Sequence, residues 1–338
     1  MYHRIIDYKY TYILILTLLI SQSSFALTFV IPKESNIVGN IQYVTVYPGE
    51  SLSDIGKKFD VGVYEMIEAN PELDPWDPQV GAAVVIPTQF ILPATKLQGI
   101  VVNLAEMRLY YYHNINKVNM VTTHPIGIGR KGWATPLIEA KVVDKQYNPT
   151  WRPPISIIKE HADKGDLLPN IVPPGPSNPL GEFAIYLSTP GYLIHGTNRP
   201  GGIGLRTTSG CIRLFPEDIR SLYNQISIGT SVKIIHEPYK IGLSNNQLYL
   251  EVHEPLSDAY YNKESNEIIM RKAINNAMTF HNININNYLN WSYLQEILKK
   301  FTKIANGYPL LVNLDELTAS HKEQLAENKI MPTNNGKT

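Results

Sequence analysis

The residue types best suited to chemistry in this chain are one cysteine and one histidine. Cys211 is the sole cysteine among 338 residues, and His195 precedes it by sixteen positions (211 − 195). A lone cysteine cannot form an internal disulfide, so the thiol needs another reason to be there. A free thiol has a pKa of about 8.5 and is only a few per cent thiolate near neutrality. A histidine within hydrogen-bond reach takes its proton, and the two form the minimal unit of cysteine nucleophilic catalysis. Sixteen residues span roughly 50 Å when extended, so the pair meets only if the chain doubles back. Asn198-Arg199-Pro200-Gly201-Gly202 is a good turn for that purpose.

The flanking segments suit the task. Tyr192-Leu193-Ile194 reads as a strand delivering His195 at its end, and Ile212-Arg213-Leu214 as a second strand after Cys211. Gly210 permits a positive φ just ahead of the thiol, a turn that can aim backbone N–H groups inward as an oxyanion hole. Arg213 falls on the same strand face as Cys211, where it can stabilise a thiolate or bind a carboxylate. These residue types alone leave a second reading open, an inert buried thiol beside a satisfied loop histidine, because cysteine is among the most often buried residues.

Residues 1–26 carry a weakly basic start (Arg4, Lys9), an apolar run from Ile13 to Ile20, and Ser24 and Ala26 at the −3 and −1 positions of a cleavage site. That layout is the one expected of a secretory signal peptide. An uncleaved anchor is the alternative; no cysteine follows the site to be lipidated, and no later segment is apolar enough to span a membrane. Thirty basic residues balance thirty acidic ones, which removes any overall electrostatic case for nucleic acid or an anionic membrane surface.

The remainder suffices for two domains and a tail. In residues 41–93, Tyr43 to Val46 predicts a strand, and Ser51 with Asp54 a helix start carrying Leu52, Ile55 and Phe59 inward. A second helix from Val63 directs Met66 and Ile67 inward and ends at Asn70-Pro71, and Ala83 to Ile86 closes a strand–helix–helix–strand unit. Residues 97–238 read as mostly β, with Gly99 to Asn103 paired to Arg108 to Tyr112. Pro216 opens a helix that Gly229 ends, and Val232 to Ile235 closes the sheet. The Pro- and Asn-rich stretch 147–179 lacks periodicity and is expected to be an irregular substrate wall or lid. Residues 239–338 predict a hairpin, helices near 264–278 and 291–304, and a frayed end.

With these residues set out, two resemblances appear. YVTVYPGESLSDIGKKF, VYEMIEANPELDP and VGAAVVIP resemble a LysM domain, which implies binding to N-acetylglucosamine-containing glycan such as peptidoglycan. The run HGTNRPGGIGLRTTSGCIRLFPEDI resembles the signature of bacterial L,D-transpeptidases with a YkuD-like catalytic domain. Gly99 to Tyr110, Asn148 to Pro154 and Pro173 to Gly181 are similar to the same family, in its periplasmic, LysM-bearing branch. One departure is Thr135-Pro136-Leu137-Ile138, where the family has Thr-Pro-x-Gly.

The resemblance implies a mostly β fold: a β-rich catalytic domain, a small βααβ LysM domain and a C-terminal α/β extension. It implies Cys211 as nucleophile, His195 as general base and acid, Ser209 as the group orienting His195, Gly210 as a backbone oxyanion donor, and Arg213 as a substrate or oxyanion contact. Gly196 and Thr197 are expected to touch substrate. The reaction implied is thioester acyl transfer from a tetrapeptide stem with loss of D-alanine. The acceptor is a diaminopimelate amine, giving a 3→3 cross-link, or the C-terminal lysine of an outer-membrane lipoprotein. Partners are therefore stem peptides and glycan, in the periplasm, with neither cofactor nor metal required. An L,D-carboxypeptidase using the same pair, or a non-catalytic wall-binding protein, are the alternatives.

Weaker constellations remain. His236-Glu237-Pro238 and His253-Glu254-Pro255 match no zinc spacing and read as strand ends stopped by proline. His124, beside the glycine-rich loop Gly127 to Trp133, is a candidate to line the pocket.

Overall fold

The computed structural model describes residues 26–244, 247–258, 265–281 and 312–313. The expected signal peptide, up to residue 25, and the second expected tail helix lie outside them. Mostly β architecture is found, with five helices among the described residues.

The larger half is a curled nine-stranded sheet in the order β1-β8-β7-β6-β15-β10-β11-β12-β14. Its strands are β1 (Leu27–Val30), β6 (Gly99–Asn103), β7 (Arg108–Ile115), β8 (Val118–Pro125), β10 (Glu139–Tyr147), β11 (Phe183–Leu187), β12 (Leu193–His195), β14 (Ile212–Arg213) and β15 (Ser231–Ile235). Pairing is antiparallel except for β6 with β15 and β12 with β14. The strand expected to close the sheet, β15, instead runs inside it between β6 and β10. β1 was not anticipated at all: four residues directly after Ala26 pair with β8, Leu27 opposite Thr123 through Val30 opposite Met120.

Register at the site follows from two isoleucines. Ile194 and Ile212 face each other across β12 and β14 and are fully buried in the main core with Leu214, Ile219 and Leu222. Each such side chain contributes about 1.5–3 kcal/mol by leaving water. A one-residue slip of β14 would put Cys211 or Arg213 in the place of Ile212, so the core fixes which face His195 and Arg213 occupy. Helix α4 (Pro216–Gln225) packs Ile219 and Leu222 onto this core. It stops at Gln225, before Gly229, because Ile226 is already extended (φ −89°, ψ 155°) and buried.

The N-terminal unit comprises β3 (Gln42–Thr45), α1 (Leu52–Lys58), α2 (Val63–Ala69) and β4 (Ala83–Ile86), with β3 and β4 antiparallel. Ser51 and Asp54 form the expected capping box at α1. Leu52, Ile55, Met66, Val84 and Ile86 make its core, while Ile67 is only half-buried. The unit is seated on the large sheet by charge as well as by packing. Glu65 of α2 receives Arg108 of β7 bidentately, both bonds 2.7 Å, and the guanidinium lies 4.3 Å from the Phe90 ring centroid.

The stretch after β10 is less irregular than expected. It contains α3 (Ile155–Asp163), a helix with no buried residue, entered through Pro154, whose fixed φ suits a helix entrance. None of its residues reaches the core, so this segment gives no buried stripe to read. The hairpin of β16 (Tyr239–Ser244) and β17 (Gln247–Val252) follows, with α5 (Asn266–His281) against it.

Candidate active site

Parallel pairing of β12 with β14 sets Ile194 opposite Ile212 and His195 opposite Arg213. Cys211 directly precedes β14, so alternation returns it to the face of Arg213 and His195, opposite the buried isoleucines. Neighbouring strands are about 4.8 Å apart and rise about 3.3 Å per residue, so the Cα atoms of Cys211 and His195 stand about 8 Å apart diagonally, within side-chain reach. The loop between them turns through a 3₁₀ segment at Pro200–Gly202 and β13 (Arg206–Thr208), which pairs with β9 (Ile128–Gly129) in the glycine-rich loop. Arg213 is further held by reciprocal 2.9 Å backbone bonds with Gly127. Gly210 has φ +104°, the conformation expected of it, and a Cβ there would come 3.2 Å from the Tyr192 ring.

Both reacting groups are neutral at rest. Burial, then the Arg213 charge, push His195 down to about 3, against the opposing pull of the Gly196 and Leu180 carbonyls. Burial raises the Cys211 thiol, a shift only partly offset by the Leu193 N–H and Arg213. The thiol points at the Gly191 carbonyl, 3.7 Å away. The Arg213 guanidinium is itself short of partners: its Nε is buried without a hydrogen bond. The site thus holds an uncharged thiol, an uncharged imidazole and an under-used cation.

The catalytic-domain model of the YkuD L,D-transpeptidases matches residues 98–234, and the LysM domain model matches residues 44–87. A probable L,D-transpeptidase of Escherichia coli K12, YcfS, is 45% identical over 233 residues, covering 67% of this chain and 72% of its own. The chain belongs to the L,D-transpeptidase family. ErfK/SrfK of Salmonella typhimurium, also a probable L,D-transpeptidase, is 44% identical, covering 71% of this chain and 78% of its own. An Enterococcus faecium L,D-transpeptidase of known structure gives a TM-score of 0.32 at 18% identity, over 46% of this chain and 56% of that one. This L,D-transpeptidase is accordingly an acyltransferase.

Several expected roles fall differently. His195 Nδ1 lies 2.7 Å from the Gly196 carbonyl, so a backbone oxygen orients the ring. Ser209 does not: its Oγ accepts from Arg130 at 2.9 Å. Arg130 also forms an ion pair with Glu160 of α3 and stacks over Trp133, tying the nucleophile loop to the exposed helix. The Gly210 N–H is engaged by Thr208 Oγ1 at 3.2 Å rather than open to an oxyanion. Gly196 therefore acts through its carbonyl, and the buried Thr197 hydroxyl accepts the Arg199 N–H at 2.9 Å. Thr135, at the departure from the family pattern, is buried and braces the glycine-rich loop by accepting the Gly129 N–H.

Three further histidines sit in polar contacts of the fold. His124 is fully buried between Asp60 and Asp218. His253 is more than a strand end. Its Nε2 bonds Glu251 at 2.7 Å, and Glu251 and Glu106 both hold the Lys240 ammonium at 2.6 Å. That ammonium occupies the position where a metal would have to sit among Glu106, Glu251 and His253. His236 Nε2 accepts the Leu256 N–H. Apart from Glu251, two residues before His253, the charged partners lie scores of residues away and leave no local sequence signal.

Proposed function

We propose that this L,D-transpeptidase is exported, processed after Ala26, and acts in the periplasm on peptidoglycan to which residues 41–93 hold it, with residues 97–238 catalytic and 239–338 an extension. The observation that carries the reading is the β12–β14 register, which sets His195 beside Arg213, with Cys211 directly ahead of β14. Cys211 Sγ attacks the carbonyl at the L-centre of diaminopimelate in a tetrapeptide stem. Because thiol and imidazole both start neutral, the proton passes to His195 as the C–S bond forms, without a standing ion pair. His195 then protonates the departing D-alanine amine as the C–N bond breaks, leaving a thioester.

In the second half, His195 deprotonates the acceptor amine, which attacks the thioester, and the thiol is regenerated. Arg213, with its unpaired Nε, suits a substrate carboxylate or the developing oxyanion. Gly196 serves through its carbonyl, and Thr197 shapes the wall beside it. The acceptor is a second diaminopimelate amine or a lipoprotein's C-terminal lysine. The purified chain, incubated with disaccharide-tetrapeptide and followed by mass spectrometry, is expected to yield a thioester at Cys211 and a dimer with loss of D-alanine. Tripeptide alone would assign it instead as a carboxypeptidase. Absence of any Cys211 adduct would end the covalent reading.

A further inference from the structure

The first residue of β1 makes an unusual contact. The Leu27 backbone nitrogen lies 3.3 Å from Asp60 Oδ2, in a part-buried position. Asp60 is 1% exposed, and its Oδ1 has no hydrogen-bond partner. Behind it, His124 Nδ1 of β8 stands 3.4 Å from Asp60 Oδ2 and 3.3 Å from Asp218 Oδ1, in the first turn of α4. Neither ring nitrogen has hydrogen-bond geometry, and Asp218 Oδ2 is unpartnered too.

The surrounding charges do not supply what is missing. Glu65 of α2 and Arg108 of β7 neutralise each other, and Arg108 donates to the Asp60 backbone carbonyl rather than to its carboxylate. Lys57 of α1 reaches Glu217 of α4 at 3.9 Å, where both side chains are exposed. Thr123, opposite Leu27 on β8, is uncharged. Burial alone would deprotonate His124, but Asp218 and Asp60 outweigh it and hold its pKa near 10. Two carboxylates against one imidazolium set excess negative charge apart from water, which is costly, and burial with the neighbouring Asp60 pushes Asp218 up to about 7 in answer. The second buried cluster is balanced: Lys240 and His253 answer Glu106 and Glu251.

We propose that the missing cation is the α-ammonium of Leu27, freed by cleavage after Ala26, and that Asp60, His124 and Asp218 form a buried receptor for the chain's own processed N-terminus. The proposal rests on the export processing set out above. In that hydrolysis, water adds across the Ala26–Leu27 amide: the Ala26 carbonyl carbon takes the hydroxyl and the Leu27 nitrogen the proton, with a second proton from solvent. An amide offers one hydrogen and no charge, whereas an ammonium offers three and a positive charge. From the same position it can serve both Asp60 oxygens. Processing would then lock β1 onto β8 and brace α4, whose Asp218 lies seven residues (218 − 211) beyond Cys211.

The test compares the chain beginning at Leu27 with the same chain carrying one extra alanine ahead of it, which moves the amine by about 3.8 Å. Amine acylation by acetic anhydride is followed against pH by mass spectrometry of the native protein, its fold checked by near-ultraviolet circular dichroism. An ordinary α-amino group titrates at about 7.7–8.0. The Leu27 amine is expected at least about one unit higher, returning to the ordinary range in Asp60→Asn and in the alanine-extended chain. Since the folded pKa is raised, the melting-temperature advantage of the Leu27 chain is full below about 7.7 and fades as pH rises through the folded value.

An ordinary titration in the folded Leu27 chain overturns the proposal, as does an upward shift that persists in Asp60→Asn. Mass spectrometry of the exported protein tests the premise separately. An N-terminus other than Leu27 removes the ligand and with it the proposal, while the acyl-transfer chemistry of Cys211 stands or falls on its own assay.

Discussion

The seam between the N-terminal unit and the large sheet, and the face that carries Cys211, treat buried polarity in opposite ways. At the seam Glu65 takes Arg108 bidentately, and where the β16–β17 hairpin meets the sheet Lys240 is shared at 2.6 Å by Glu106 and Glu251, whose other oxygens accept Asn103 and the Ile91 N–H. On the catalytic face Arg213 Nε is buried with no partner, His195 is stripped of its proton and the thiol keeps its own. Matched charges fix one arrangement. Unmatched ones are retained where a substrate completes them. Asp60, His124 and Asp218 belong by position to the seam but by their unpaired atoms to the second kind, which is why a missing ligand suggests itself there.

The comparison breaks most decisively at the nucleophile. Cys211→Ala is expected to abolish transfer and the thioester adduct while shifting the melting temperature little, since a half-buried thiol adds little packing. His195→Gln should follow with a loss in kcat of about 10²–10⁴, the usual contribution of a general base. At the seam the effect moves from rate to stability. Arg108→Met leaves Glu65 buried and alone, and denaturant titration should register a loss of about 3–5 kcal/mol. Adding Glu65→Leu should recover most of it, short of about 1 kcal/mol for the Gly62 N–H that Glu65 now caps. A double variant no better than the single one would remove the contrast.

The catalytic face makes a prediction about pH as well. His195 is unprotonated above about 3, well below the ordinary 6.5, so kcat/KM should show no acid limb from this residue between pH 5 and 7. Alkylation of Cys211 by iodoacetamide should have its midpoint above the ordinary thiol value of about 8.5. A midpoint near 6 would instead indicate a standing thiolate–imidazolium pair.

How much of this was legible follows the range of the signals. The Ser51–Asp54 capping box, the positive φ of Gly210 and the strands delivering His195 and Cys211 are local patterns, and they are found where the residues predict them. β1 was missed because four residues after a hydrophobic leader look like its tail, and only the distant β8 makes them a strand. Helix α3 was missed because none of its residues is buried. Glu65 with Arg108, and His124 with Asp60 and Asp218, pair residues 43 to 94 positions apart, and such charges look like ordinary solvated side chains until the fold brings them together.

Ser209 offers the smallest effect and the finest discrimination. A serine beside a nucleophile is a natural candidate to orient the base, yet its Oγ receives Arg130, while His195 is held by the Gly196 carbonyl. Arg130 keeps the Thr208 carbonyl and Glu160 without it. Ser209→Ala therefore removes one partly buried hydrogen bond, worth about 0.5–1.5 kcal/mol of loop stability. kcat is expected to fall by no more than about threefold, because ring orientation is untouched. A loss of about a hundredfold, of the kind that follows removal of an orienting group, would reassign the role to the side chain. Steady-state rates at one pH suffice to decide between them, provided Arg130→Lys is measured beside it, since that variant loosens the same loop while leaving the Ser209 hydroxyl in place.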